Sequence, residues 1–348
     1  MKLLDTLLEQ AKKMGATDVH VGEGYRPFFR IDGEIFEQKN LPEGTQEDME
    51  DLARFIFPSE QMEMLEIRVD IDVSCTHSST GLRVRAHGYW ERKRLNIAFR
   101  LLPLEIPSLE ELGIPSAAQD RILELRDGLV LVSGPTGSGK STTIASFLHA
   151  INREQRKHII TIEDPVEYAH ENIRSLVKHR EVGRGEGDVA QFPLALRSAL
   201  REDPDVIFVG EMREVETMRL ALRAAETGHL VFSTLHTSFV SQIPARIVSM
   251  FSSGEQERVQ SQLAHVLRVA IAQRLLVKQE GGKVAAYEIL VNNPAIRSLI
   301  IEGKSQGIRD TIKASRQEGM ILMEDALAEL EESNPAALLK IEEKAAYG

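Results

Sequence analysis

The segment Gly134-Pro135-Thr136-Gly137-Ser138-Gly139-Lys140-Ser141-Thr142 follows the apolar run Leu129-Val130-Leu131-Val132 and opens a helical pattern. Its spacing has the form Gly-x4-Gly-Lys-Ser/Thr, the signature of a loop that cradles phosphates. Glycines let consecutive backbone N–H groups curl around an anion where a Cβ would obstruct it. Lys140 then neutralises the outer phosphates and Ser141 holds Mg2+. The start of the following helix adds its positive dipole end. The chemistry implied is binding of a nucleoside triphosphate such as ATP with Mg2+, through Gly134, Pro135, Thr136, Gly137, Ser138, Gly139, Lys140, Ser141 and Thr142. A glycine-rich turn with an incidental lysine would not explain the strand before it and the helix after it.

Three further polar clusters follow apolar runs. After His158–Ile162 come Glu163-Asp164-Pro165-Val166-Glu167-Tyr168; after Val206–Val209 come Gly210-Glu211-Met212-Arg213; after Leu230–Phe232 come Ser233-Thr234-Leu235-His236-Thr237. In open α/β sheets, ligands sit beyond the carboxyl ends of the strands, so each cluster arrives where phosphates belong. Glu211 stands where a metal-shell or water-orienting carboxylate is expected, and Glu163 competes for the water-activating role. The residues alone do not rank the two. His229 and His236 flank the Leu230–Phe232 run and are candidates for reading the γ-phosphate.

These residues need a scaffold. The four apolar runs lack alternation, which fits strands buried on both faces, and the helical stretches 141–152, 193–201 and 215–226 separate them. The pattern predicts a parallel sheet covered by helices. Beyond about Ser238 the chain reads as mostly helical, with an acid-rich solvated helical tail from Glu318 onward.

The first hundred residues read differently. Leu4, Leu7, Leu8, Ala11 and Met14 share one helical face. Phe28–Phe36 holds Asp32-Gly33, a hairpin turn signal. Val69/Ile71/Val73/Cys75, Leu82/Val84/Ala86 and Leu95/Ile97/Phe99/Leu101 alternate with period two, which predicts a half-buried antiparallel sheet. Arg83 and Arg85 fall on its polar face, as do Arg94 and Arg100 on the next strand. Arginine suits phosphate because its planar fork gives two bonds at once. Arg83, Arg85 and Arg100 are candidate fingers on a nucleotide, of this chain or of a neighbouring subunit; the alternative is a solvated basic face. The expected organisation is an α+β unit over 1–103, a proline-bearing linker or hinge over 104–115, and an ATPase unit over 116–348.

Composition narrows the function. With 348 residues, 42% hydrophobic and 27% charged, the chain resembles an ordinary globular protein of about two domains. A net charge of −11 argues against a broad nucleic-acid-binding face. The single cysteine, Cys75, allows neither an intrachain disulfide nor a four-cysteine zinc site. Asp5 and Glu9 near the start are unlike a signal peptide, and no stretch approaches the about 20 apolar residues of a membrane span. A cytoplasmic location is expected, with any membrane association made through a partner.

The ordered boxes resemble the secretion ATPases of the type II secretion and type IV pilus class, and most closely the PilT-type pilus retraction (twitching-motility) ATPases. The resemblance rests on Gly134–Ser141, on Thr161-Ile162-Glu163-Asp164-Pro165-Val166-Glu167, on Leu196–Asp205 through Gly210-Glu211-Met212-Arg213, and on Thr227–Thr237. Ala295-Ile296-Arg297-Ser298-Leu299-Ile300 is similar to the retraction-associated motif Ala-Ile-Arg-Asn-Leu-Ile, with Ser298 in place of Asn. The loop 183–191 is longer and richer in glycine than the family pattern, and Phe251 lacks the proline that often follows. The resemblance implies a PAS-like domain joined to a RecA-like P-loop domain. It implies a homo-hexameric ring with ATP between the domains, Arg83, Arg85 and Arg100 acting on it, and an inner-membrane pilus platform as partner. An accessory retraction-type paralogue and a type II secretion or pilus assembly ATPase are alternatives, the latter disfavoured by the lone cysteine. A RecA-like nucleic-acid motor and a nucleotide-binding subunit without turnover are the remaining rivals.

Overall fold

The computed structural model describes residues 2–333, apart from 32, 78, 103, 104, 184–186 and 279–281. The chain divides into two compact units, Met1–Glu105 and Ile106–Gly348.

In the first unit, six strands form one antiparallel sheet: β1 (Asp18–Gly22), β2 (Phe28–Ile31), β3 (Glu34–Glu37), β4 (Ile71–Thr76), β5 (Arg83–Glu91) and β6 (Arg94–Leu101), in the order β3-β2-β1-β6-β5-β4. The alternation expected in the sequence is present. Leu82, Val84 and Ala86 are buried while Arg83 and Arg85 between them are half-buried, and Ile97 and Phe99 are buried while Arg100 is exposed. The buried face packs against Leu4, Leu7, Leu8 and Ala11 of the Lys2–Lys13 helix and Met49, Leu52 and Ala53 of the Gln46–Ile56 helix. Thr45 starts the latter helix through a capping box with Asp48. Val69 lies outside the strand its alternation suggested, which starts at Ile71. Gly33, at φ 91°, supplies the left-handed step of the β2–β3 hairpin; Asp32 lies outside the described residues.

The second unit holds β7 (Gly128–Ser133), β8 (His158–Glu163), β9 (Leu176–Glu181), β10 (Val206–Val209), β11 (Leu230–Leu235), β12 (Leu267–Val277) and β13 (Lys283–Val291), in the order β13-β12-β7-β11-β10-β8-β9. All neighbours are parallel except β12 and β13. Alternate residues of the central strands serve opposite faces. Val130, Val132, Phe208 and Phe232 pack with Ile144, Phe147 and Leu148 of the Lys140–Glu154 helix. Leu129, Leu131, Ile207 and Val231 pack with the helices Phe192–Ala199, Val215–Glu226 and Ser253–Val266. Burial on both faces explains why these runs carry no polar alternation.

Two expectations need adjustment. The region beyond Ser238 is mostly helical, as expected, but it also holds β12 and β13, an antiparallel hairpin that extends the main sheet. Ala270, Ala272, Gln273, Arg274, Leu275 and Leu276 are good helix formers. Pairing of β12 with β7 as far as Ala272, and with β13 beyond it, overrides that propensity. Of the stretch 104–115, expected as a linker or hinge, the residues from Ile106 onward group with the second unit, where Leu109 and Ile114 are buried. Pro103 and Leu104, the glycine-rich residues 184–186 and the tail beyond Ser333 lie outside the described residues.

Candidate functional site: a phosphate-binding loop at the sheet edge

β7 ends at Ser133, level with Leu235 of β11 and Ala272 of β12. The chain then turns through the glycine loop into the Lys140–Glu154 helix. Gly134, Gly137 and Gly139 have φ of 145°, 78° and 87°, a region that side-chained residues occupy only with strain. Space forbids a side chain as well. A Cβ on Gly134 would lie 2.4 Å from the Gln273 carbonyl oxygen, and one on Gly139 would lie 2.8 Å from Gln273 Nε2.

Lys140 is only 8% exposed, and its Nζ donates to the carbonyls of Gly134 at 3.0 Å and Pro135 at 2.9 Å. Burial lowers its pKa, while the charges of Glu167 and Glu211 act in the opposite direction. The lysine therefore sits within the electrostatic reach of two carboxylates. Thr142 Oγ1 shares a 2.8 Å hydrogen bond with Tyr168 OH, which ties the helix start to the segment after β8.

The carboxyl ends of β8, β10 and β11 are stitched together. Gly210 N–H donates to Ile162 O at 2.8 Å, Thr234 Oγ1 donates to Gly210 O at 2.5 Å, and Ser233 Oγ donates to Val209 O at 2.6 Å. Glu163 and Glu211 thus leave neighbouring strands at the same level. Glu163 is buried, and its Oε2 accepts the Glu167 N–H at 3.4 Å. Glu211 faces an open cleft of about 340 Å³ lined also by Arg213, His236, Thr237 and Arg246, and its carboxylate pairs with Arg213 Nε at 2.8 Å.

His236 follows β11 at the same end of the sheet. Desolvation of its ring lowers the pKa, and the positive charges of Lys140 and Arg213 lower it further. The imidazole is thereby favoured in its neutral form. His229 is placed elsewhere. It precedes β11, where its carbonyl accepts the N–H of Gly128 at the start of β7, and its Nδ1 lies 3.0 Å from Ala224 O. Six strand residues separate it from His236, a span of about 20 Å at ordinary strand rise. Both histidines are expected to read the γ-phosphate; the structure sets them at the two ends of β11, and a strand's two flanks lie at opposite ends of the sheet.

Arg83, Arg85 and Arg100 belong to the first unit. Arg85 and Arg100 stand directly opposite each other on β5 and β6. Arg85 Nε donates to Asp72 at 3.2 Å and Arg100 Nε to Asp18 at 3.0 Å.

Sequence reasoning misses Gln273, which braces the loop from β12. It quotes Arg213, Tyr168 and Glu167 within motifs without giving them a role at Glu211, Thr142 or Lys140. The acid's spacing after Glu163 was the available signal; Gln273 has no local motif. Among the described residues no group of three or more His, Cys, Asp or Glu is disposed to hold a metal ion by itself. Ser141 and Glu211 offer hard oxygens, the kind magnesium takes alongside phosphate oxygens and water. They fit a magnesium that arrives with a polyphosphate.

Comparison with known proteins agrees with this arrangement. The chain is 42% identical over 314 residues to the type IV pilus retraction ATPase PilT of Pseudomonas aeruginosa, covering 90% of each chain. It is 42% identical over 305 residues to the twitching motility protein of Neisseria gonorrhoeae, covering 87% of this chain and 80% of that protein. The crystal structure of the pilus retraction motor PilT with bound ADP superposes with a TM-score of 0.86 at 44% identity, covering 96% of this chain and 94% of that one. The family model of the type II/IV secretion system proteins matches residues 1–281, and the chain belongs to that family.

Proposed function

We propose that this chain is an ATP hydrolase that powers type IV pilus retraction as a homo-hexameric motor at the cytoplasmic face of the inner membrane. One observation carries the reading: the Lys140 loop, Glu163, Glu211 and His236 converge at the carboxyl ends of four adjacent parallel strands, in a chain 42% identical to a pilus retraction ATPase over 90% of its length.

Each residue has a task in that reaction. The loop amides seat the β- and γ-phosphates, and Lys140 exchanges its two carbonyl partners for phosphate oxygens. Ser141 and Glu211 would hold magnesium, which would neutralise phosphate charge when bound. Either Glu163 or Glu211 orients the attacking water. His236, neutral and close to Lys140, contacts the γ-phosphate and reports its loss. Arg83, Arg85 and Arg100 supply positive charge to a triphosphate within the assembled ring.

The retraction-type motif lies on the Pro294–Ile301 helix, capped by Asn293 through a 2.9 Å bond from Ile296 N–H. That motif favours a retraction motor, main or accessory, over an assembly ATPase. Among the described residues no helix is long and apolar enough to cross a membrane, so the pilus platform protein is the proposed membrane contact. The test measures phosphate release with Mg2+ and ATP, alone and with DNA or RNA, beside complementation of a retraction-deficient strain. Expected are turnover abolished by Lys140→Ala, no stimulation by nucleic acid, and restored retraction. A chain that retains no magnesium-ATP in any assembly state overturns the reading.

A further inference from the structure

We propose that Gln273 is a positioning residue for the phosphate loop, fixing from β12 the direction in which a loop amide faces the nucleotide. The proposal rests on the reading that this loop holds a nucleotide.

The Gln273 side chain is 2% exposed and both ends of its amide are committed. Nε2 donates to Ser138 O at 2.6 Å, and Oε1 accepts from Thr143 Oγ1 at 2.7 Å. One partner is in the loop and the other in the first turn of the helix that follows. Flipping the amide would set oxygen against the Ser138 carbonyl, so that carbonyl fixes which way the NH2 group points, and the Thr143 hydroxyl donates to the oxygen left at the other end.

The consequence follows from peptide geometry. In a planar trans peptide the C=O and the next N–H point in opposite directions. Pinning the Ser138 carbonyl against Gln273 therefore turns the Gly139 N–H away from β12 and toward the loop mouth. Gly139, at φ 87°, can hold that orientation because it has no Cβ to meet Nε2. The main chain of Gln273 constrains the loop's other end, since its carbonyl oxygen fills the space a Cβ on Gly134 would need. A single residue thus touches both the first and the last glycine of the loop.

β12 is in turn held in place. It pairs with β7 on one side and β13 on the other, where Tyr287 stands opposite Gln273 and donates from its hydroxyl to Leu112 O at 2.9 Å. The brace is therefore rigid, as a device that aims a backbone amide must be.

The experiment uses the full chain and Mg-ADP as the probe. Titration calorimetry gives affinity, phosphate release gives turnover, and thermal melting reports stability for wild type, Gln273→Leu, Gln273→Glu and Thr143→Val. Gln273→Leu is expected to weaken Mg-ADP binding about tenfold and lower turnover while retaining the fold, because the loop carbonyl loses its donor. Gln273→Glu should be worse, since it cannot donate and places a negative charge beside the phosphates. Thr143→Val should shift affinity in the same direction but less. Should Gln273→Leu fail to fold, Thr143→Val decides. Lowered melting temperatures with Mg-ADP affinity unchanged in Gln273→Leu or, failing that, Thr143→Val would reduce Gln273 to a packing residue and overturn the proposal. Absence of Mg-ADP binding by wild type is a different result, which sinks the functional reading itself.

Discussion

Arg213 Nε lies 2.8 Å from a carboxylate oxygen of Glu211, so the acid proposed for the metal shell carries a cation of its own chain. The Arg213 side chain is 73% exposed, and an ion pair in that setting is worth at most about 1 kcal/mol. A magnesium-bound triphosphate can displace it at little cost. The pair therefore holds Glu211 in position without competing seriously with the reaction.

Glu211→Gln keeps the shape of the side chain and removes its charge. Turnover should fall about 100-fold or more while Mg-ADP affinity changes only a few-fold, the signature of a group acting in the transition state. Steady-state phosphate release and calorimetry on the same preparation check this. Parallel loss of affinity and turnover would place Glu211 in ground-state binding instead.

His236 and His229 should separate in the same assays. His236 lies within the electrostatic reach of Lys140 and Arg213, whereas His229 contacts Ala224 O at the C-terminal end of the Val215–Glu226 helix. His236→Ala should lower turnover about 100-fold or more, the order expected for one contact to a developing charge. His229→Ala should leave Mg-ATP affinity unchanged and lower the melting temperature by a few degrees, as loss of one hydrogen bond of about 1 kcal/mol does. A turnover defect in His229→Ala with wild-type stability would contradict this division.

Gly134→Ala tests the loop's geometry without touching a polar side chain. The new methyl group would sit 2.4 Å from the Gln273 carbonyl oxygen at a φ of 145°. Backbone strain of this kind costs about 1–3 kcal/mol, so the loop should shift and Mg-ADP affinity should fall about tenfold or more. Calorimetry on the folded variant reads the result; unchanged affinity would mean that the loop has a second conformation that binds equally well.

The site was legible in the sequence to the extent that chemistry there depends on local spacing. The glycine loop, Lys140, Glu163, Glu211 and His236 each follow an apolar run, and parallel pairing brings the ends of those runs together. What local spacing cannot carry is long-range partnership. Gln273 reaches Ser138 only because β12 pairs with β7, and β12 is composed of residues that suit a helix equally well. His229 and His236 show a related point: two residues flanking one strand are near in sequence yet lie at opposite ends of the sheet. The small unit was easier, since Val84/Arg85/Ala86 alternation directly records one buried and one polar face.

A histidine stack beneath the second unit's surface predicts acid sensitivity. The His170 ring lies 6.1 Å from that of His149 and 5.7 Å from that of His179, whose Nε2 accepts the His170 backbone N–H at 2.9 Å. Burial, with charge on His179 and His149 adding to it, pushes the His170 pKa down to about 3. The unfolded chain takes up this proton near 6.5 and the folded chain does not, so the unfolded state binds more protons between those values. Stability is thus full above pH 6.5 and declines as pH falls toward 3, by up to about 1.4 kcal/mol per unit well below 6.5. Melting temperatures from pH 7.5 to 5 should fall, and His170→Phe, which keeps the ring stack, should flatten that slope. An unaltered slope in the variant would assign the acid sensitivity to other groups.

The arginines of the first unit offer a sharper separation of binding from chemistry. Arg85 and Arg100 pair with Asp72 and Asp18, but their side chains are 40% and 66% exposed. Such pairs contribute at most about 1 kcal/mol each, so Arg85→Ala and Arg100→Ala should barely change the melting temperature. The same weakness leaves both guanidinium groups free to exchange a carboxylate for phosphate oxygens, which they can grip bidentately. If they act as fingers, each variant, and Arg83→Ala with them, should lose about 100-fold or more in turnover while Mg-ADP affinity holds, because finger arginines act on transition-state charge. Phosphate release, calorimetry and thermal melts on one preparation decide the matter. Equal losses of affinity and turnover would make these arginines part of the binding surface, and no loss of either would make the row a solvated basic face.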